Sequence, residues 1–253
     1  MRKCVALGVA ALLWLGACGS HHVTGPTPPA SDALSNSGEP PPPAPAPPPV
    51  LSITRILAFG DSLTAGTTSP PLLVRSTGPG LPESYPFKLQ ALLAMRYTGQ
   101  TIELFNEGQP GQRATLAPAT FSASLNATSP QLVLLMDGAN DLLTDGDRAI
   151  PPATNAMEDM VREALRRKIA VIVASLPPQR ESGSRGRGAS SVQAYNAALR
   201  KMAAVKGAAF VDVFAQFDLS LIGQDGLHPT EAGYDRLAAI LQSAISESFE
   251  VRN

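Results

Sequence analysis

The feature that most constrains this chain is a run of apolar residues with almost no break. "PQLVLLMDG", residues 130–138, offers no polar side chain between Leu132 and Met136. A strand with one wet face alternates apolar and polar positions; a strand covered on both faces does not. "ITRILAF" and "IAVIVASLP" have the same character, and "QTIELFN" and "AAFVDVF" add two shorter strands. Helical stretches lie between them. "ESYPFKLQALLAMRY" puts Phe87, Leu89, Leu92, Leu93 and Met95 at roughly helical spacing. "TNAMEDMVREALRRK" offers Thr154 as an N-cap and a basic last turn. "SSVQAYNAALRKMAAVKG" stops at Gly207, and "HPTEAGYDRLAAILQSAISESF" closes the chain with Pro229 in its first turn. Alternation of this kind predicts an α/β fold, a mainly parallel five-stranded sheet with helices on both faces.

Only residues 51–253 have this pattern, a length that suits one domain with one core. The first 17 residues read as a secretory signal: Arg2 and Lys3, then an apolar run from Val5 to Leu15 too short to span a bilayer. Its end, Leu15-Gly16-Ala17-Cys18, resembles a bacterial lipobox, in which the cysteine is lipidated and becomes the new N-terminus. Gly19 after it resembles the outer-membrane-destined form. The alternative is an ordinary signal peptide with a chance cysteine. Cys4 and Cys18 are the only cysteines, so one would leave with the signal and the other would carry lipid. Residues 18–50 are rich in Pro, Ala and Ser, with too little apolar surface to offset the entropy of ordering. They read as a semi-stiff tether holding a domain off a membrane, with His21 and His22 solvated within it. The expected location is the bacterial envelope, lipid-anchored at Cys18. The formal charge of −1 moves to about −3 once Arg2 and Lys3 are gone, which leaves no basis for a nucleic-acid partner.

Ligands of parallel sheets sit outside the carboxyl ends of the strands. The residues placed there are Asp61-Ser62 after the first strand, "NEGQPGQR" (106–113) after the second, "DGANDL" (137–142) after the third and "GQDGLHP" (223–229) after the fifth. His228 is the one imidazole of the domain. It precedes Pro229, which biases it away from helical backbone and toward the mouth of the last helix. That helix end disfavours imidazolium, as a general base near neutral pH requires. "DGLH" spacing lets Asp225 reach one ring nitrogen while the other faces Ser62, the logic of a catalytic triad with Ser62 as a solvent-facing nucleophile. The backbone N–H groups of Ser62 and Gly111 and the side-chain amide of Asn140 are candidate oxyanion donors, Gly111 because it lacks a Cβ where backbone must come close.

With these residues in place, the chain resembles the SGNH/GDSL hydrolases. Their four blocks are matched in order by "GDSLTAG", "NEGQPG", "GAND" and "DGLHP". The resemblance implies a flavodoxin-like three-layer α/β/α sandwich and ester or thioester hydrolysis through an acyl-enzyme on Ser62. It implies Gly111 and Asn140 as oxyanion donors, Asp225 and His228 as the remaining triad members, and no cofactor. Asp61 becomes a structural turn residue. The absence of G-x-S-x-G argues against an ordinary α/β-hydrolase.

Two segments fall outside the blocks. Residues 67–84 form an irregular insert leaving the Ser62 turn, and its Leu72, Leu73 and Val74 either line an acyl pocket or pack beneath the loop. "RESGSRGRG", 180–188, reads as a mobile solvated loop, with binding of an anionic substrate as the alternative. The acids of "DLLTDGD" do not match a calcium loop, and no metal is expected. The expected activity is a carboxylic-ester hydrolase acting on a small-molecule or glycan ester. Carbohydrate O-acetyl esterase, lysophospholipase and thioesterase are alternatives within the enzyme class, and a non-catalytic envelope binding protein lies outside it.

Overall fold

The computed structural model describes Gly25 and residues 47–68 and 81–251. The chain divides into two units, Met1–Pro45 and Ala46–Asn253. Everything that follows lies in the second. The signal, Cys18, most of the tether and Leu72, Leu73 and Val74 lie outside the described residues.

Five strands carry the fold: β1 (Arg55–Gly60), β2 (Glu103–Gly108), β3 (Leu132–Met136), β4 (Ala170–Ala174) and β5 (Ala209–Val211). They run in the order β2-β1-β3-β4-β5, every pair parallel. Every residue of β3 is buried, as its unbroken apolar run requires. Helices α2 (Tyr85–Arg96) and α7 (Glu231–Phe249) pack together in one layer, while α3 (Pro118–Thr128), α5 (Ile150–Arg166) and α6 (Ala189–Lys206) form the other. This is the three-layer sandwich expected. The chain leaves β1 toward β2 and then crosses back to β3 on the opposite side of β1. That reversal opens a crevice beyond the ends of β1 and β3, where Gly60 and Met136 lie in register.

Several sequence expectations change in detail. Helix α3 falls in a stretch of small and polar residues, and only Phe121 and Leu125 give it large buried side chains. Phe121 packs edge-on against Phe59 of β1, ring centroids 5.0 Å apart. In α2 the buried residues are Tyr85, Pro86, Leu89 and Leu93, with Tyr85, Leu89 and Leu93 each four on from the last, whereas Phe87 and Met95 are exposed. Thr154 is not an N-cap: α5 begins at Ile150 with Pro151 and Pro152 in its first turn, which needs no N–H there. The Thr154 hydroxyl is instead buried without a hydrogen-bond partner. Pro229 precedes the last helix rather than entering it. Thr230 is the N-cap, its Oγ1 accepting from Gly233 N at 3.2 Å. Helix α6 does stop at Gly207.

Candidate active site

Two short helices shape the crevice: α1 (Ser62–Ala65), directly after β1, and α4 (Ala139–Asp145), directly after β3. Asp61 caps α1, its Oδ1 accepting from Leu63 N at 2.8 Å, so Ser62 stands in the first turn. The turn sits close over β2. A Cβ on Gly108 would lie 2.1 Å from Ala65 N, so only glycine lets α1 rest there.

The segment after β5 doubles back on itself. Gly223 N donates to His228 O at 2.8 Å and Thr230 N to Leu221 O at 2.8 Å. Within that turn Asp225 Oδ1 accepts from the N–H groups of Leu227 and His228, both at 3.0 Å, which sets the carboxylate. Its Oδ2 lies 2.5 Å from His228 Nδ1. His228 Nε2 lies 2.9 Å from Ser62 Oγ, across 166 residues of sequence. The carboxylate partner places the ring proton on Nδ1 and leaves Nε2 as acceptor for the Ser62 hydroxyl. The three residues named from the sequence therefore form one relay. Ser62 is 4% exposed and His228 3%, so the hydroxyl lies enclosed against the imidazole rather than facing open solvent.

Burial is the main force holding the His228 pKa below its ordinary 6.5; Asp225 pulls it up and the Arg185 cation pushes it down. Helix α7, whose N-terminus the sequence invoked, begins three residues later, at Glu231. Burial raises the Asp225 pKa, but the His228 ring and the two backbone N–H groups outweigh it and keep the carboxyl below its usual range. The residue stays ionised beside the ring. Beneath α1, burial pushes the Asp61 carboxyl up to about 7, opposed by the Leu63 N–H and aided by Asp141. Burial and then Asp61 push Asp137 well above the carboxylate range.

On the other side of Ser62, Gly111 takes φ +84°, the left-handed conformation that glycine tolerates. A Cβ there would meet nothing within 4 Å, so in the free protein its need is conformational rather than one of space. The N–H groups of Ser62 and Gly111 make no hydrogen bond among the described residues. The Asn140 amide is not wholly free. Its Nδ2 donates to Gln112 O at 2.8 Å and reaches Asp61 Oδ2 only at 3.4 Å. Asp141 ties α4 to the same region, accepting from Ala114 N and Thr115 Oγ1, both at 2.7 Å.

The segment 180–188, expected as a mobile loop, is bonded to the triad turn. Arg180 N donates to Gly226 O and Arg185 N to Asp225 O, each at 2.8 Å. The Arg180 guanidinium holds Leu219 O and Ile222 O at 3.0 and 2.6 Å. Of the insert, Ser84 caps α2 and Thr67 O accepts from Tyr234 OH at 2.6 Å. Sequence reasoning assigned no role to Gln112 or Asp137, and none to Arg185. The positions of Gln112 beside Gly111 and of Asp137 before "GAND" were the available signals, whereas Arg185 had none along the chain.

The family model of the GDSL-like lipase/acylhydrolases matches residues 58–236, from within β1 to within α7. The chain belongs to that family. A multidomain esterase of Ruminococcus flavefaciens is 24% identical over 162 residues, 57% of this chain and 21% of the length of that relative. The chain thus spans about a fifth of that curated protein. Among solved structures, a catalytic mutant of an acetylxylan esterase from Geobacillus stearothermophilus superposes with a TM-score of 0.64 at 21% identity, covering 81% of this chain and 99% of that one. The lipase/acylhydrolase from Enterococcus faecalis gives 0.65 at 19% identity, covering 79% and 100%. At these identities the likeness is one of fold, and the fold is that of the family's ester hydrolases.

Proposed function

We propose that this protein is a serine esterase that cleaves carboxylic esters through an acyl-enzyme on Ser62. The observation that carries the reading is the relay from Asp225 Oδ2 through His228 to Ser62 Oγ, at 2.5 and 2.9 Å. Ser62 Oγ attacks the ester carbonyl as His228 Nε2 takes its proton, and ionised Asp225 stabilises the imidazolium. The negative charge that forms on the carbonyl oxygen is met by the N–H groups of Ser62 and Gly111. Asn140 adds the amide hydrogen that now makes only the long contact with Asp61. As the C–O bond breaks, His228 returns the proton to the leaving alcohol. Water, deprotonated by the same imidazole, then cleaves the acyl-serine and releases the acid.

The fold neighbours favour short acyl groups on a glycan as the substrate, since one is named an acetylxylan esterase. Catalytic mutants of that enzyme were made at a serine, an aspartate and a histidine, the last two three residues apart, the spacing of Asp225 and His228 here. A panel of p-nitrophenyl esters from acetate to decanoate, with an acetylated xylan beside it, tests both levels. Ser62→Ala should abolish fluorophosphonate labelling and lower turnover by at least about 1,000-fold. Turnover that survives this change would remove the nucleophile.

For location, the reading is a lipid anchor at Cys18 in the bacterial envelope, supported by "LGAC" and the Pro-rich stretch that follows. Intact mass of the protein from its own host should show residues 1–17 gone and lipid on Cys18; an unmodified Cys18 would overturn it. A chain beginning at Ala46 should keep full activity. It retains Val50, whose carbonyl accepts from Val251 N at 2.9 Å, and Leu51, which bridges to Glu250.

A further inference from the structure

The turn after β2, Gln109–Arg113, carries the Gly111 N–H and has no regular structure of its own. An oxyanion donor acts only if it is held within a fraction of an ångström of the position where charge develops. Packing does not hold this one, because the space where a Gly111 Cβ would stand is open. Hydrogen bonds must do so. Gln109 N donates to Gly60 O at 2.9 Å, pinning the start of the turn to the end of β1. At the far corner Arg113 pairs outward with Asp141 and Asp145, and the Gln112 side chain reaches inward to the strand ends. Gln112 Nε2 lies 2.8 Å from Asp137 Oδ2 and 3.2 Å from Gly60 O. Two acceptors around one nitrogen fix which way the amide faces. Asp137 is fully buried just past β3, and its other oxygen accepts from Gly138 N at 2.7 Å. The backbone of Gln112 acts as well, since its carbonyl takes the Asn140 amide at 2.8 Å.

From the segment after β2, this one residue therefore bonds to two of the other three that meet in the crevice. Its side chain joins the ends of β1 and β3, its preceding peptide carries Gly111, and its carbonyl holds Asn140. We propose that Gln112 and Asp137 form a latch that sets the oxyanion side of the site, acting as positioning residues for Gly111 and Asn140. The proposal rests on the esterase reading above. Gln suits the task because it is long enough to reach both strand ends and donates without bringing a charge to a half-buried turn. Asp137 suits it because a carboxyl group has an oxygen for Gly138 and another for Gln112, whereas an amide has only one.

The experiment uses the intact domain and four proteins: wild type, Gln112→Met, Asp137→Asn and the double variant. Methionine keeps the length and removes both donors, and asparagine keeps the size of the buried group. For Gln112→Met, kcat on p-nitrophenyl acetate should fall about 10- to 100-fold with KM within about twofold, as when stabilisation of the transition state alone is lost. The acidic limb of the pH–rate profile should stay where it is, because the triad is not touched. The preference for an ester over its thiono analogue should shrink, since sulfur gains little from oxyanion donors; a merely structural defect would not alter that ratio. Asp137→Asn should show the same pattern in smaller measure, and the double variant should be no slower than Gln112→Met, as expected for partners in one contact.

Wild-type kcat in folded Gln112→Met would overturn the latch. So would additive losses in the double variant, or a pH limb that moves with the loss of rate. If Gln112→Met does not fold, Asp137→Asn alone decides by the same ratio and pH limb. Failure of the esterase reading is a separate outcome, an inactive wild type or an active Ser62→Ala.

Discussion

Gly108 stands opposite Gly60 at the ends of β2 and β1, and the Ser62 turn rests on that pair. Gly108→Ala places a methyl 2.1 Å from Ala65 N, 2.6 Å from Thr64 C and 2.7 Å from Ala65 Cα. All three atoms are backbone, so no side chain can swing aside. Unstrained contact begins near 3.4 Å, and α1 must move off β2 by about 1.3 Å. The same four-residue helix carries Ser62, whose Oγ is 2.9 Å from His228 Nε2. A displacement of that size breaks the bond, and misplacement by about 1 Å costs on the order of 100-fold in rate. Overpacking adds about 1–3 kcal/mol of instability, with about 2–4 °C of Tm lost per kcal/mol in a domain of this size. The assay is kcat on p-nitrophenyl acetate, with the rate of fluorophosphonate labelling to report the serine and calorimetry to report Tm. Loss of both in the folded variant is the expected result. An alanine variant with wild-type kcat and Tm would refute the argument that this glycine sets the height of the nucleophile.

Three further predictions concern charge and burial. kcat/KM should rise with pH through one limb below the ordinary histidine value of 6.5, because burial disfavours imidazolium at His228. Arg185→Gln removes a cation that opposes protonation of the ring, so the limb should shift to higher pH, most clearly at low salt; a shift the other way would contradict the assignment. Thr154→Val removes a buried hydroxyl that has no partner, so stability in urea should hold or rise by up to about 1 kcal/mol, and a fall of that size would show that the hydroxyl is bonded.

Much of this protein was legible before any coordinate. Composition alone marks a strand covered on both faces, so Leu132–Met136 and Ala170–Ala174 stood out. Chemistry at strand ends follows from the sheet being parallel, which made Ser62, Asn140, Asp225 and His228 candidates together. Other features had no local signal. Helix α3 has few large apolar residues, and only the approach of Phe121 to Phe59 shows why it is held. The buried face of α2 starts at Tyr85 rather than Phe87, because α7 and not spacing alone decides which side is covered. Burial is the largest cause lowering the His228 pKa, and burial depends on everything packed around the ring. The Gln112–Asp137 bond spans 25 residues, and the Arg180–Gly188 strap on the Asp225 turn spans two loops. Spacing along a chain reports which residues share an element. Which hydrogen bonds close between elements depends on distances of a few tenths of an ångström, and these exist only once the sheet order and both helix layers are in place.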